Sequence, residues 1–316
     1  MGNSLLLILG LLAAMLVLIP INGLIINALG FLGQSLKLKR EVLITLIIGF
    51  AVSLPELLIA INALIFNQPE LAVGNALGSG LILMTLVAGL IAIYTKSFKT
   101  NTMFSRKHLV FMSLATTLPI ALAFDGRISR TDGIILIITY VIYLLILVST
   151  KSSYSIIAQN VKNRKKSILN IVIVLIGLCA AFIAAYIANY ISRELFVMTN
   201  FSLFFIGLIF VAPLGAIPEL IFEMELNKKG KSNLTLGELF TSIVTNTTLI
   251  IGITALFAPI SIVTNVVFYF AAFFFVVVLI LFNIYVHSKD SLDWKEGLML
   301  VLAYIIFLLS SITLVF

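Results

Sequence analysis

Charge is what this 316-residue chain has least of: Asp, Glu, Lys and Arg make up 10% of it, against 61% hydrophobic residues. A soluble globular domain carries about a quarter charged residues, so that class is excluded. Cysteine occurs once, as Cys179 inside an apolar run, which rules out an intramolecular disulfide framework and leaves the redox compartment open. Histidine occurs twice, and neither His108 nor His287 falls in the middle of an apolar run. With no HExxH and no aspartate-rich pair inside such a run, an intramembrane metalloprotease or prenyl transferase has no residues to carry its chemistry, and no enzyme is expected. No basic residue precedes the apolar run that opens at Ser4, so it reads as a first membrane span rather than a signal peptide. The net charge of +7 would suggest nucleic acid in a soluble protein. Here it reflects lysines and arginines that set orientation in a bilayer, and no nucleic-acid partner is expected.

What is present is hydrophobic length. Taking ~20 apolar residues as one span, the chain divides into ten, at about 4–33, 41–66, 69–95, 105–124, 131–150, 168–191, 199–226, 234–257, 264–286 and 296–316. The expected fold is an all-α membrane protein of ten transmembrane helices. Five spans (1–150) precede the polar linker 151–167 and five (168–316) follow it. An odd number of spans per half forces the second half to enter the bilayer upside down, as an inverted-topology repeat. The loops after the odd-numbered spans hold 3, 4, 5, 3 and 2 lysines and arginines; those after the even-numbered spans hold 0, 2, 1 and 0. Positive-inside bias therefore predicts a multi-pass cell-membrane protein with both termini outside and the 151–167 linker in the cytoplasm.

One stretch organises the rest: AVSLPELLIAINALIFNQPELAVGNALGSG, residues 51–80. It places a carboxylate, Glu56, directly after Pro55. An ionisable group at that depth costs at least ~2.5–3.5 kcal/mol and reads by default as functional. Pro55 has no N–H to donate, so the carbonyl of Ala51 loses its helical partner. Free carbonyls beside a carboxylate make the oxygen-rich surface that a hard cation such as Ca²⁺ prefers. The stretch recurs from Leu214 as LGAIPELIFEMELNKKGKSNLTLGELFTSIVTN. An ungapped offset of 163 sets Pro55–Glu56 on Pro218–Glu219 and Ser79 on Ser242, and it also matches Gly74 with Gly237 and Gly89 with Gly252. Paired, proline-interrupted spans in the two halves of a transporter mark its binding site.

SLPE at 53–56 followed by GNALGS at 74–79 resembles the first alpha repeat of the calcium/cation antiporter superfamily, the sodium/calcium exchangers. LGAIPE at 214–219 with GELFTS at 237–242 resembles a decayed second copy. The alpha repeats would cover about 49–93 and 212–256. The resemblance implies a central divalent site made by Glu56 and Glu219 with the backbone carbonyls of Val52 and Gly215. It implies flanking sites on the carbonyls of Gly49 and Ala212 and on the hydroxyls of Ser53, Ser79 and Ser242. Asn246, one turn after Ser242, joins the set. It also implies that the first and sixth spans slide past a rigid core. The chain departs from the family wording at Val52, Gly215 and Ala216, where hydroxyls are missing. It departs again at Gly80 and Ile243, which replace the asparagine of GSN, and at Leu83, where exchangers carry Asn or Asp.

The expected activity is secondary active antiport of a divalent cation, Ca²⁺, against H⁺ or Na⁺ by alternating access. The alternatives are an exchanger or uniporter for Mg²⁺, Mn²⁺ or K⁺, or a non-transporting homologue. Two carboxylates converging on an empty site repel each other, so protons compete with the cation, and the thinned flanking hydroxyls favour H⁺ as the counter-ion. No organic cofactor is expected; the partners are inorganic cations and the lipid bilayer, and the unit is a monomer. Gly74 and Gly78 read as packing glycines. Asn75 divides evenly between the site and interhelical packing. Glu223 and Glu225 read as solvated residues at a span end, Glu238 as a vestibule or helix-end carboxylate, and the run FYFAAFFF at 268–275 as lipid-facing bulk.

Overall fold

A backbone crossing lipid must satisfy its own hydrogen bonds, so an apolar chain of this kind resolves into helices. The computed structural model describes residues 2–35, 52–99, 106–149, 164–199, 201–228, 232–262, 266–288 and 291–315. Among them run ten helices. In the first half these are α1 (Gly2–Ser35), α2 (Leu54–Ile65), α3 (Pro69–Thr95), α4 (Arg106–Leu122) and α5 (Arg130–Ser149). The second half supplies α6 (Arg164–Thr199), α7 (Leu203–Ile206, Gly207–Val211 and Ala212–Lys228), α8 (Ser232–Val244, Thr245–Ile250 and Ile251–Phe257), α9 (Val266–Ser288) and α10 (Trp294–Thr313). Eight of them are long and apolar enough to cross a membrane. The described parts of the other two, Leu54–Ile65 and Leu109–Asp125, are shorter apolar helices. Each corresponds to one of the ten spans expected from the sequence; residues 36–51, with Gly49, and 150–163 lie outside the described residues.

The 163-residue offset reappears as structure. Four short strands lie between the helices: β1 (Ser97–Lys99), β2 (Arg127–Ile128), β3 (Ile260–Ser261) and β4 (Ser291–Asp293). The offset carries β1 onto β3 and β2 onto β4. The pairings are β1 with β4 and β2 with β3, both antiparallel, so each small sheet takes one strand from each half. The sheet β1·β4 lies in the loops after the third and ninth helices and β2·β3 in those after the fourth and eighth. Exchanging the halves therefore exchanges the two ends of the molecule, which is inverted topology.

Burial follows the same symmetry. Of an apolar 18-residue stretch in each helix, 83% is buried in α3 and α8, 28% in α5 and α10, and 22% in α1 and α6. The central pair α3 and α8 is surrounded by protein, and both helices bury polar side chains, Asn75, Ser79, Glu238, Ser242 and Asn246 among them, as well as apolar ones. Glycines set how closely their partners approach. A Cβ on Gly89 would meet the Gly297 carbonyl at 2.6 Å, and one on Gly252 would meet the Gly133 carbonyl at 3.0 Å. These α3·α10 and α8·α5 crossings are counterparts in the two halves. Helices α1 and α6 pack side by side, Gly177 of α6 against Ile25 and Gly10 of α1 against Ile191. Both turn exposed apolar faces outward, among them Leu6, Leu24, Ile176 and Ile183.

The aromatic run at 268–275 is not simply lipid-facing. Phe273 is exposed, but Phe268 and Phe275 are buried, and the Phe275 ring closes on Gly80. On an all-apolar helix, composition does not distinguish the lipid face from the protein face.

Candidate functional site

Helix α2 starts after Ser53, which has turn geometry, and carries Pro55 in its first turn, where a missing N–H costs least. This puts Glu56 at the broken end of a helix. Pro218 sits instead inside α7 and removes the partner of the Leu214 carbonyl. Helices α3 and α8 lie against these broken helices. Gly74 abuts the Phe204 carbonyl, and a Cβ on Gly78 would meet Ala212 Cβ at 2.6 Å and the Leu208 carbonyl at 2.9 Å. The glycines are thus packing glycines that bring α3 onto α7.

The two carboxylates come together. Glu56 and Glu219 are fully buried and within electrostatic reach of each other. Ser79 Oγ donates to Glu56 Oε1 over 3.3 Å, and Ser242 occupies the corresponding place beside Glu219. Gly215 lies directly against Glu56: a Cβ there would stand 3.2 Å from Oε1. Val52, Ser53, Ala212, Ser242 and Asn246 are also buried. Gly49 lies outside the described residues.

Hydrogen bonding leaves this centre unsatisfied. Glu56 Oε2, both oxygens of Glu219, Ser53 Oγ and both amide atoms of Asn246 and of Asn75 are buried with no hydrogen-bond partner. Buried polar groups in native proteins are nearly always paired. No lysine or arginine is buried among the described residues, so no internal cation neutralises the carboxylates. An arrangement of anionic and neutral oxygens that lack partners suits a hard cation as cargo. Among the described residues no three His, Cys, Asp or Glu side chains converge as a preformed metal cluster; the centre is two carboxylates among neutral oxygens.

Helices α3, α7 and α8 each contain a π-helical segment, at Leu83–Val87, Gly207–Val211 and Thr245–Ile250. The first and last are related by the repeat offset and begin one turn after Ser79 and just after Ser242. Such segments gather at functional sites. Here the last of the three carries Asn246.

One expectation is corrected. Glu223 is not solvated: it is 2% exposed, and Glu238 4%. Both lie within electrostatic reach of Glu219 and of each other. The signal was their spacing, since Glu223 is one turn after Glu219 on α7 and Glu238 one turn before Ser242 on α8, on the faces that carry the site. Glu225 is exposed, as expected. The side chains of His108 and His287 lie outside the described residues.

Known proteins share the sequence pattern and the fold of this chain. A sequence model of the family described as "Sodium/calcium exchanger protein" matches residues 6–149 and 167–313, one segment in each half. Inner membrane protein YrbG of Escherichia coli is 26% identical over 230 residues, 67% of this chain and 68% of its own. The sodium/calcium exchanger MaX1 of Methanosarcina acetivorans is 27% identical over 118 residues, 37% of this chain and 33% of its own. Among solved structures, the sodium-calcium exchanger NCX_Mj soaked with Na⁺ and Sr²⁺ superimposes with a TM-score of 0.67 at 21% identity, covering 97% of this chain and 99% of that one. With both halves matched and the whole fold superimposed, this multi-span membrane protein belongs to the sodium/calcium exchanger family.

Proposed function

We propose that the chain is a secondary active antiporter in which Glu56 and Glu219 share one divalent cation, Ca²⁺, exchanged against protons. One observation carries this reading. Two carboxylates from matching positions of two inverted repeats are buried together, and three of their four oxygens have no hydrogen-bond partner. A divalent ion balances their charge and fills their vacant lone pairs, with the carbonyls of Val52 and Gly215 completing the shell. The repeats span 1–150 and 168–316, with the 151–167 linker in the cytoplasm and both termini outside. Because α1 and α6 pack mostly on each other and on lipid, they are the elements that move past the core during alternating access. Each chain carries a complete pair, so a monomer suffices.

Protons are favoured over Na⁺ because monovalent sites need neutral oxygens on either side of the pair. Hydroxyls are missing at Val52, Gly215 and Ala216, while Ser53, Ser79, Ser242 and Asn246 remain. The Gly80 departure has a packing reason: a Cβ there would stand 2.9 Å from the Phe275 ring, which leaves no room for asparagine. The test is ⁴⁵Ca²⁺ uptake into proteoliposomes under an imposed H⁺ gradient or an imposed Na⁺ gradient. Uptake with the proton gradient alone is expected. Uptake driven by Na⁺ with pH clamped by an ionophore would restore sodium as the coupling ion.

A further inference from the structure

Glu223 and Glu238 are buried carboxylates that the central pair does not use. They lie on the neighbouring helices α7 and α8, within electrostatic reach of each other and near the end of the molecule that carries β1·β4: five residues after Glu223, Lys228 Nζ stands 5.5 Å above the Tyr94 ring, at the end of α3. Thr235 stands beside Glu223 and accepts a hydrogen bond from Asn227 Nδ2 at 2.9 Å. Glu223 Oε2 and Glu238 Oε2 are buried with no hydrogen-bond partner. Glu219, both of whose oxygens are likewise unpartnered, lies within reach of both.

Four carboxylates therefore occupy one connected region, Glu56 to Glu219 to Glu223 and Glu238, with no buried lysine or arginine among the described residues. Lys228 is exposed and turned onto Tyr94. Burying unpaired charge is far more costly than burying a paired one, so the second pair must be neutralised, by protons when empty or by a bound cation. The repeat offset sets Glu223 on Ala60 and Glu238 on Asn75. The opposite approach to the centre is thus neutral where this one is acidic, and the asymmetry breaks the two-fold plan on one side only.

We infer that Glu223 and Glu238 form a second divalent-cation station on the β1·β4 side of the central site, exchanging its ion with Glu219. Two carboxylates match the charge of one divalent ion, and the Thr235 and Asn227 side chains hold Glu223 in place. The inference rests on the central pair binding a divalent ion, and its test separates the two. Full-length protein in lipid nanodiscs is titrated with ⁴⁵Ca²⁺ as wild type, Glu223→Gln/Glu238→Gln, Glu219→Gln and Glu225→Gln. Two ions per chain are expected for wild type and Glu225→Gln. One is expected for Glu223→Gln/Glu238→Gln, whose remaining binding also reports a folded protein. In proteoliposomes the double variant should raise the half-saturating Ca²⁺ about tenfold on the Lys228 side and leave it unchanged on the other. Binding and half-saturation equal to wild type in the double variant would overturn the second station. Binding lost in the double variant but intact in Glu219→Gln would support this station and instead contradict the central one.

Discussion

Glu56 Oε1 rests against the backbone of Gly215, where a Cβ would stand 3.2 Å from the oxygen. The carboxylate of the first repeat is therefore positioned by the motif of the second, and the two halves of the site cannot be adjusted separately. Gly215→Val places a branched apolar side chain where that oxygen lies. Coordination geometry tolerates little displacement, so divalent affinity should fall by about tenfold or more, ~1.4 kcal/mol. Calorimetric Ca²⁺ titration checks this, and an unchanged affinity would mean that Glu56 does not hold its position during binding.

Proton competition should follow from the same pair. Carboxylates must be deprotonated to ligate a cation, so binding releases protons. Apparent Ca²⁺ affinity should fall as pH drops, by about tenfold per pH unit for each proton displaced. Binding isotherms across pH measure the slope; a flat profile would remove the proton from the mechanism.

Gly78→Leu should disrupt the α3·α7 contact, where even a Cβ meets Ala212 Cβ at 2.6 Å. Overpacking typically costs about 1–3 kcal/mol, so the melting temperature in detergent should drop. Gly23→Ala is the control, because a Cβ there meets nothing within 4 Å.

Sidedness is tested in a Cys179→Ala background, since Cys179 is exposed on α6. Cysteine at Asn67, between α2 and α3, should react with an impermeant thiol reagent in intact cells. Cysteines at Ser152 and Lys228 should not. The reverse pattern would invert the orientation drawn from loop charge.

Much of this was legible in the residues because the repeat offset is a physical constraint as well as a textual one. The offset that aligns Glu56 with Glu219 and Ser79 with Ser242 also aligns β1 with β3, β2 with β4 and the π-helical segments at Leu83–Val87 and Thr245–Ile250. The surroundings of Glu223 and Glu238 were harder to read. Each lies within a few residues of a polar loop, a position equally compatible with solvent and with the packed interior. Tertiary packing around α7 and α8, rather than any local pattern, buries them. Phe275 illustrates the same limit, since no periodicity separates it from the exposed Phe273 on an all-apolar helix.

The central claim is that Glu56 and Glu219 share one ion. It is tested most directly by ⁴⁵Ca²⁺ exchange across proteoliposomes bearing Glu56→Gln or Glu219→Gln, beside wild type and Glu225→Gln. Glutamine keeps shape and removes the anionic oxygen that a divalent ion needs in a low-dielectric site. Each central substitution alone should abolish exchange, while Glu225→Gln retains it. Exchange at wild-type rates in either central variant would contradict a two-glutamate site.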